Sequence, residues 1–150
     1  MAVILALDTS TEACSCALSI HGDVHESYQI APRMHTVLLL PMIDQLLASH
    51  TLNFSQLDAI AFGRGPGSFT GLRIAAGVTQ GIAFAAGIPV IEVSTLAAVA
   101  LEIHEHTGNS SILACLDARI DEIYWGLFTI EIENSLPVPR GREYLCKPEE

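Results

Sequence analysis

The chain has 150 residues, half of them hydrophobic and 16% charged, which allows one packed domain or one domain and part of a second. Its formal net charge of −10 argues against a direct nucleic-acid surface, because such surfaces are normally basic. The apolar N-terminus MAVILALDTS lacks the basic start of a signal peptide. No run approaches the roughly 20 apolar residues of a membrane span.

The four cysteines lack the C-x-x-C spacing that is typical of zinc and redox sites. They are Cys14, Cys16, Cys115 and Cys146. We interpret them as buried free thiols in a reducing compartment, and we expect a cytoplasmic protein.

Three short strands are predicted at the start of the chain: Val3 to Leu7, Cys14 to Ile20 and Val24 to Ile30. Tight turns separate them, so they form an antiparallel meander. Asp8 follows the first strand and is the best carboxylate candidate for a metal or phosphate role. Capping its own turn is an equally good interpretation.

His21 and His25 have the H-x-x-x-H spacing that places two metal ligands on one face of a helix. Gly22 and Asp23 lie between them and indicate a hairpin instead. We therefore interpret the pair as a solvated turn.

A first helix is predicted from Thr36 to Ser49. Two adjacent apolar stripes indicate a helix with neighbours on both sides. Pro41 either starts or kinks this helix, because it has no N–H group. His35 is a candidate cap or interface residue. The stripes are Leu39, Met42 and Leu46, and Leu40, Ile43 and Leu47.

The stretch Asp58–Ala86 is predicted as strand, glycine loop and helix. The apolar run from Leu57 to Phe62 gives the strand, and Ser68 or Thr70 caps a helix from Leu72 to Ala86. Such a loop suits phosphate binding at a helix N-terminus. However, the P-loop lysine and the G-x-G-x-x-G spacing are both absent. A purely structural tight connection is therefore favoured, and phosphate contact stays open.

Four residues of this helix, Arg73, Gly77, Gly81 and Ala85, recur at steps of four and form one ridge. A glycine inside a helix costs about 1 kcal/mol relative to alanine, so two on one ridge need a reason. Close packing on the protein's own sheet and close approach of another subunit both explain them.

A strand from Pro89 to Val93 and a helix from Leu96 to His106 complete the order βββαβαβα. This order predicts an α/β fold with a mixed five-strand sheet. The polar segment 107–111 suggests a boundary, and we predict a first lobe over residues 1–108.

Residues 109–150 repeat the opening pattern of strand, aspartate turn and strand. The strands are predicted from Ile112 to Leu116 and from Glu122 to Ile132, with Asp117 between them. We interpret this segment as the beginning of a second, similar lobe, and the proline-containing tail as loops.

Five motifs resemble the TsaB (YeaZ) family of bacterial tRNA threonylcarbamoyladenosine biosynthesis proteins, which have an actin-like, RNase H-like fold. The motifs are LALDTST, His35 before LLLP, GRGPGSFTGLRIA, IPVIEVSTLAA and LDARIDEIYWG. The resemblance covers nearly the whole chain, although family members carry a complete second lobe. It implies a non-catalytic subunit that supports the transferase TsaD and also engages the ATPase TsaE, with tRNA contacted only indirectly.

The resemblance also implies a partner or homodimer interface on helices 36–49 and 72–86. Its candidate residues are His35, Leu39, Met42, Leu46, Arg73, Gly77, Gly81 and Ala85. The third helix starts without the histidine pair through which TsaD binds metal, so no catalytic or metal residue is predicted.

The alternative function is a nucleotide-binding ATPase or phosphotransferase of the actin-like class. Asp8, Thr9, Ser10 and Asp117 would then contact nucleotide, with ATP bound only together with partners. A peptidase is the third possibility, but the sequence contains no Ser-His-Asp or zinc constellation that supports it.

Overall fold

A computed structural model describes residues 2–131 and 133–149. Its helices are α1 (His35–Ser49), α2 (Phe69–Ala86) and α3 (Thr95–Thr107), with a short 3₁₀ helix at Phe54–Gln56. The strands are β1 (Val3–Asp8), β2 (Ala13–Ile20), β3 (Asp23–Ile30), β4 (Ala59–Gly65), β5 (Val90–Ser94), β6 (Ser111–Arg119), β7 (Glu122–Ile130), β8 (Pro137–Pro139) and β9 (Tyr144–Cys146). None of the described helices is long and apolar enough to cross a membrane.

The chain divides into two compact units. The first comprises the chain up to Arg64 together with Ser68–Val93, and the second comprises Gly65–Gly67 and the chain from Ser94 onward. The second unit therefore includes α3, whereas the sequence predicted a boundary after residue 108. The reason lies in packing, because Leu96 and Ala100 of α3 share a buried cluster with β6 and β7. The division into lobes at residue 108 stays a prediction.

Five strands form one mixed sheet in the order β3-β2-β1-β4-β5. The pairs β1–β2 and β2–β3 are antiparallel, whereas β1 and β4 are parallel. The predicted α/β class and mixed five-strand sheet are confirmed. Two-residue spacing places the apolar residues of β1, β2 and β4 on one face, where α1 and α2 cover them. That core contains Leu5, Leu7, Cys14, Cys16, Leu18, Leu39, Ile43, Leu47, Ile60 and Ile82 among others.

The turn between β2 and β3 is a two-residue hairpin loop. Ile20 pairs with Asp23, and His21 and Gly22 have φ values of 56° and 104°. Positive φ at both loop positions matches the right-handed twist of the strands. The hairpin prediction is confirmed, so His21 and His25 do not share a helix face.

The helix boundaries follow local chemistry. The side chain of Ser68 caps α2 by accepting a hydrogen bond from the N–H of Gly71 at 3.4 Å. Gly87, with φ 68°, ends the helix in the left-handed conformation that glycine adopts without strain. Pro41 lies inside α1 and does not start it.

One part of the α1 prediction is wrong, because Leu40 is not buried but 47% exposed. The other two residues of the same stripe, Ile43 and Leu47, are buried at 0% and 3% exposure. The second stripe therefore reaches the core except at Leu40, in the N-terminal half of α1.

The second unit is built on β6 and β7, which pair antiparallel over nearly their whole length. Both β8 and β9 pair with β7, so the prediction that the tail consists of loops is wrong for these residues. Pro137 and Pro139 are tolerated in β8 because they are two residues apart and so point their backbone nitrogens to the same side of the strand, away from β7. Their missing N–H groups therefore remove no hydrogen bond to β7. Strand β7 ends at Ile130, and the predicted end at Ile132 lies outside the described residues.

Candidate functional site

The aspartate at the end of β1 closes its own turn. Asp8 Oδ1 accepts hydrogen bonds from the backbone N–H of Ser10 at 2.8 Å and from its Oγ at 2.7 Å. This is the i to i+2 pattern by which aspartate stabilises a turn. The capping interpretation of Asp8 therefore has a direct geometric basis.

The next two residues attach this turn to the start of α2. Thr9 is fully buried and donates from Oγ1 to the carbonyl oxygen of Gly71 at 2.6 Å. The N–H of Ser68 donates to the carbonyl oxygen of Ser10 at 2.7 Å. Two hydrogen bonds thus hold the first turn of α2 against the β1–β2 turn. We call this contact the β1–α2 clamp.

Glycine is required at two positions because the β1–β2 turn lies so close. A Cβ atom at Gly71 would lie 1.8 Å from the carbonyl oxygen of Thr9. A Cβ atom at Gly63 would lie 2.0 Å from Asp8 Oδ2. Neither separation is possible for a real side chain, so both sites need glycine.

This geometry supports the structural interpretation of the glycine loop over the phosphate interpretation. The protein's own carboxylate and carbonyl oxygens occupy the space beside Gly63 and Gly71. Nucleotide contact by Asp8, Thr9 and Ser10 stays a prediction.

The second predicted nucleotide turn has the same local form. In the second unit, Asp117 Oδ1 accepts a hydrogen bond from the N–H of Arg119 at 2.7 Å. Asp117 is exposed, and the three following turn residues Arg119, Ile120 and Asp121 all have positive φ values. Each unit therefore carries an aspartate with an i to i+2 hydrogen bond, at the end of β1 and at the irregularity near the end of β6.

The small-residue ridge of α2 lies on the surface. Arg73, Gly77, Gly81 and Ala85 are all exposed. Beyond the neighbouring residues and the backbone of α2 itself, an added Cβ at Gly77 or Gly81 would meet no described heavy atom within 4 Å. Close packing on the protein's own sheet therefore does not account for these glycines. The opposite side of α2, with Ala75, Thr79, Ile82 and Ala83, is the buried one.

Two aromatic residues flank this ridge on the same helix. Phe84 is 91% exposed and Phe69 is 72% exposed. The guanidinium carbon of Arg73 lies 4.6 Å from the centroid of the Phe69 ring, a cation–π contact. We call Phe69, Arg73, Gly77, Gly81 and Phe84 the α2 face. Neither phenylalanine was predicted from the sequence as an interface residue, although both positions fall outside the buried stripe of α2.

The four candidate interface residues on α1 are buried within the chain. His35 is 8% exposed and lies with Nε2 3.0 Å from the carbonyl oxygen of Ala13. Leu39, Met42 and Leu46 are 1%, 8% and 7% exposed and belong to the first unit's core. An interface role for these four stays a prediction. The apolar surface of α1 is made instead by Val37 and Leu40, at 61% and 47% exposure.

The cysteines divide by environment. Cys14 and Cys16 are buried on β2, whereas Cys115 is exposed, so the prediction of burial is wrong for Cys115. Burial raises the pKa of both β2 thiols, and for Cys16, where the neighbouring Cys14 adds to it, the pKa rises to about 11. Within the described ranges, no three or more His, Cys, Asp or Glu side chains are grouped to hold a metal ion.

Comparison with known proteins gives consistent matches. Residues 20–140 match the family profile described as TsaD, tRNA N6-adenosine threonylcarbamoyltransferase. The tRNA threonylcarbamoyladenosine biosynthesis protein TsaB of Haemophilus influenzae is 51% identical over 122 residues, which cover 81% of this chain and 52% of the relative. TsaB of Escherichia coli is 42% identical over 146 residues, which cover 97% of this chain and 63% of the relative.

The structure of YeaZ from Pseudomonas aeruginosa superposes with a TM-score of 0.93 at 47% sequence identity. The match covers 99% of this chain and 68% of that protein. This chain thus spans between about half and two thirds of the length of these relatives. The fold is that of the actin-like, TsaD-type proteins. The chain belongs to the TsaB (YeaZ) family.

Proposed function

We propose that this chain acts in the synthesis of N6-threonylcarbamoyladenosine in tRNA, as a non-catalytic subunit that binds a TsaD-type transferase through the α2 face. Membership of the TsaB family supports the pathway. The observation that carries the interface is that Gly77 and Gly81 lie exposed with open space at both Cβ positions.

The physical reason is the cost of glycine in a helix. Each of Gly77 and Gly81 destabilises α2 by about 1 kcal/mol relative to alanine, and no close contact inside the described chain offsets this cost. A partner helix packed over small residues approaches more closely than it could over larger side chains. Phe69 and Phe84, at 72% and 91% exposure, supply the large apolar side chains that interfaces use as anchors.

A homodimer through the same face is the second assembly that this surface fits, since a two-fold axis would bring two α2 faces together. TsaE as a further partner rests on the family resemblance. A non-catalytic role is supported by the start of α3, where Ser94 caps the helix and no histidine occurs from Val93 to Val99.

The test is association with a purified TsaD subunit, measured by light scattering coupled to gel filtration. Gly81→Leu is expected to weaken binding at least tenfold, because its side chain would fill the space that the partner needs. The chain should stay folded, since no described atom beyond the neighbouring residues and the backbone of α2 itself lies within 4 Å of the new Cβ. The matched control is Glu105→Leu, on the exposed surface of α3. Undiminished binding by folded Gly81→Leu would refute the interface.

A nucleotide-binding ATPase or phosphotransferase is the second candidate. The self-capped turns at Asp8 and Asp117, each described within its own unit, are the observation that favours it. We expect no ATP turnover by the purified chain. Turnover above background that disappears in Asp8→Ala, measured by phosphate release, would favour the enzyme over the scaffold.

A further inference from the structure

Two histidine rings meet beside the end of α1. His25 lies on the edge strand β3, and His50 directly follows α1. Their ring centroids are 4.1 Å apart, and the rings are tilted by 45°. His25 is exposed and His50 is half-buried, so solutes reach the pair.

The tautomer of His50 is fixed by the helix. Its Nδ1 lies 3.0 Å from the carbonyl oxygen of Leu46 and 3.0 Å from Ser49 Oγ. The Ser49 hydroxyl donates its own proton to the Leu46 carbonyl oxygen at 2.8 Å, so both neighbours of Nδ1 act as acceptors. In this network Nδ1 carries the proton, and Nε2 keeps a lone pair. A ring N–H that donates to a backbone carbonyl is the usual second contact of a metal-binding histidine.

His25 is free to act as the second ligand. In the described part of the chain its ring contacts His50 and has no side-chain hydrogen bond. Because it is exposed on an edge strand, its ring can rotate without disturbing the core.

The electrostatic setting favours a cation. The last carbonyl groups of a helix carry a partial negative charge, and His50 is the C-cap residue of α1. The chain's formal net charge of −10 adds a long-range attraction for cations.

We propose that His25 and His50 bind one Zn²⁺ ion, with water completing the coordination. At Zn–N distances of about 2.0–2.1 Å around a tetrahedral ion, two imidazole centroids lie about 5 Å apart. The ring centroids are now 4.1 Å apart, so a rotation of the His25 side chain that moves its ring centroid by about 1 Å reaches this separation. Two protein ligands leave open positions, so the ion is exchangeable and ties β3 to the end of α1.

The test is isothermal titration of the chain with ZnCl₂. Cys115→Ser and Cys146→Ser remove the two thiols that are not fully buried and would compete for zinc. One Zn²⁺ per chain is expected, and His25→Gln and His50→Gln should each weaken binding at least tenfold. Long-range ¹⁵N spectra should show the shift at the ring nitrogens of both histidines.

The matched control is His106→Gln. The Nδ1 atom of His106 lies 2.9 Å from the carbonyl oxygen of Glu102, four residues earlier, as in His50, but no second ring accompanies it. Its substitution should leave binding unchanged. Zinc affinity that survives His25→Gln, or the absence of binding below 1 mM, taken as about the weakest specific affinity of interest, would overturn the proposal.

Discussion

Two pairs of glycines on neighbouring segments have opposite surroundings. Gly63 and Gly71 face atoms of the β1–β2 turn at distances that exclude any side chain, whereas Gly77 and Gly81 face open space. The first pair is explained by the fold of this chain. The second pair is not explained by contacts within the described chain, and for this reason we propose that another molecule packs there. The sequence cannot separate these two cases, because it does not show which glycines lie against other parts of the chain.

The largest effect is expected for Gly71→Ala. The new Cβ would lie 1.8 Å from the carbonyl oxygen of Thr9, so the β1–α2 clamp must open or the backbone must shift. Overpacking combined with the loss of a buried hydrogen bond should lower the free energy of unfolding by about 3 kcal/mol or more. Urea denaturation measures this loss. Wild-type stability in this variant would show that the clamp is not tight in solution.

Gly63→Ala should destabilise less, by about 2 kcal/mol, because its obstacle is the side chain of Asp8 and not backbone. Asp8→Ala removes that obstacle together with the two hydrogen bonds to Ser10. The double variant should therefore be more stable than the sum of the single changes predicts, when measured as a double-mutant cycle. Simple additivity would mean that Asp8 and Gly63 are not in contact.

Gly77→Ala and Gly81→Ala should have the smallest effect and the opposite sign. Each is expected to raise the free energy of unfolding of the isolated chain by about 0.5–1 kcal/mol, because alanine is the better helix former and the space is open. Thermal unfolding followed by circular dichroism measures the gain.

The control for these two variants is Gly108→Ala. This site is equally open, but φ is 72°, so alanine should destabilise by about 1 kcal/mol. Destabilisation by Gly77→Ala or Gly81→Ala would contradict the conclusion that these two sites, unlike Gly63 and Gly71, are open.

Much of the fold was predictable because it follows from local patterns. Alternating and continuous apolar runs located the strands from β1 to β5. Ser68 was one of the two predicted caps of α2, and the predicted helix end at Ala86 agrees with the structure. Motifs such as GPGSFTG led to the family through resemblance, which periodicity alone could not supply.

The wrong predictions concern residues whose burial or strand pairing depends on tertiary packing. Leu40 and Ile43 are both branched aliphatic residues of similar helical phase, yet only Ile43 is buried. Strands β8 and β9 are three residues each and contain two prolines, so their pairing with β7 has no local signal. For the candidate site, the sequence identified the ridge but could not tell which α1 residues face outward.

The β1–α2 clamp couples the position of α2 to the turn between β1 and β2. Helix α2 is joined to the β1–β2 turn only through its first turn, by Ser68, Gly71 and their partners Ser10 and Thr9. The helix is 18 residues long, about 27 Å at 1.5 Å per residue, and Ile82 and Ala83 near its far end are packed in the core. A shift of the Asp8 turn would therefore act first on the N-terminal end of α2, where Phe69 and Arg73 lie. Substitutions in this turn should change the Phe69 end of the α2 face more than the Phe84 end.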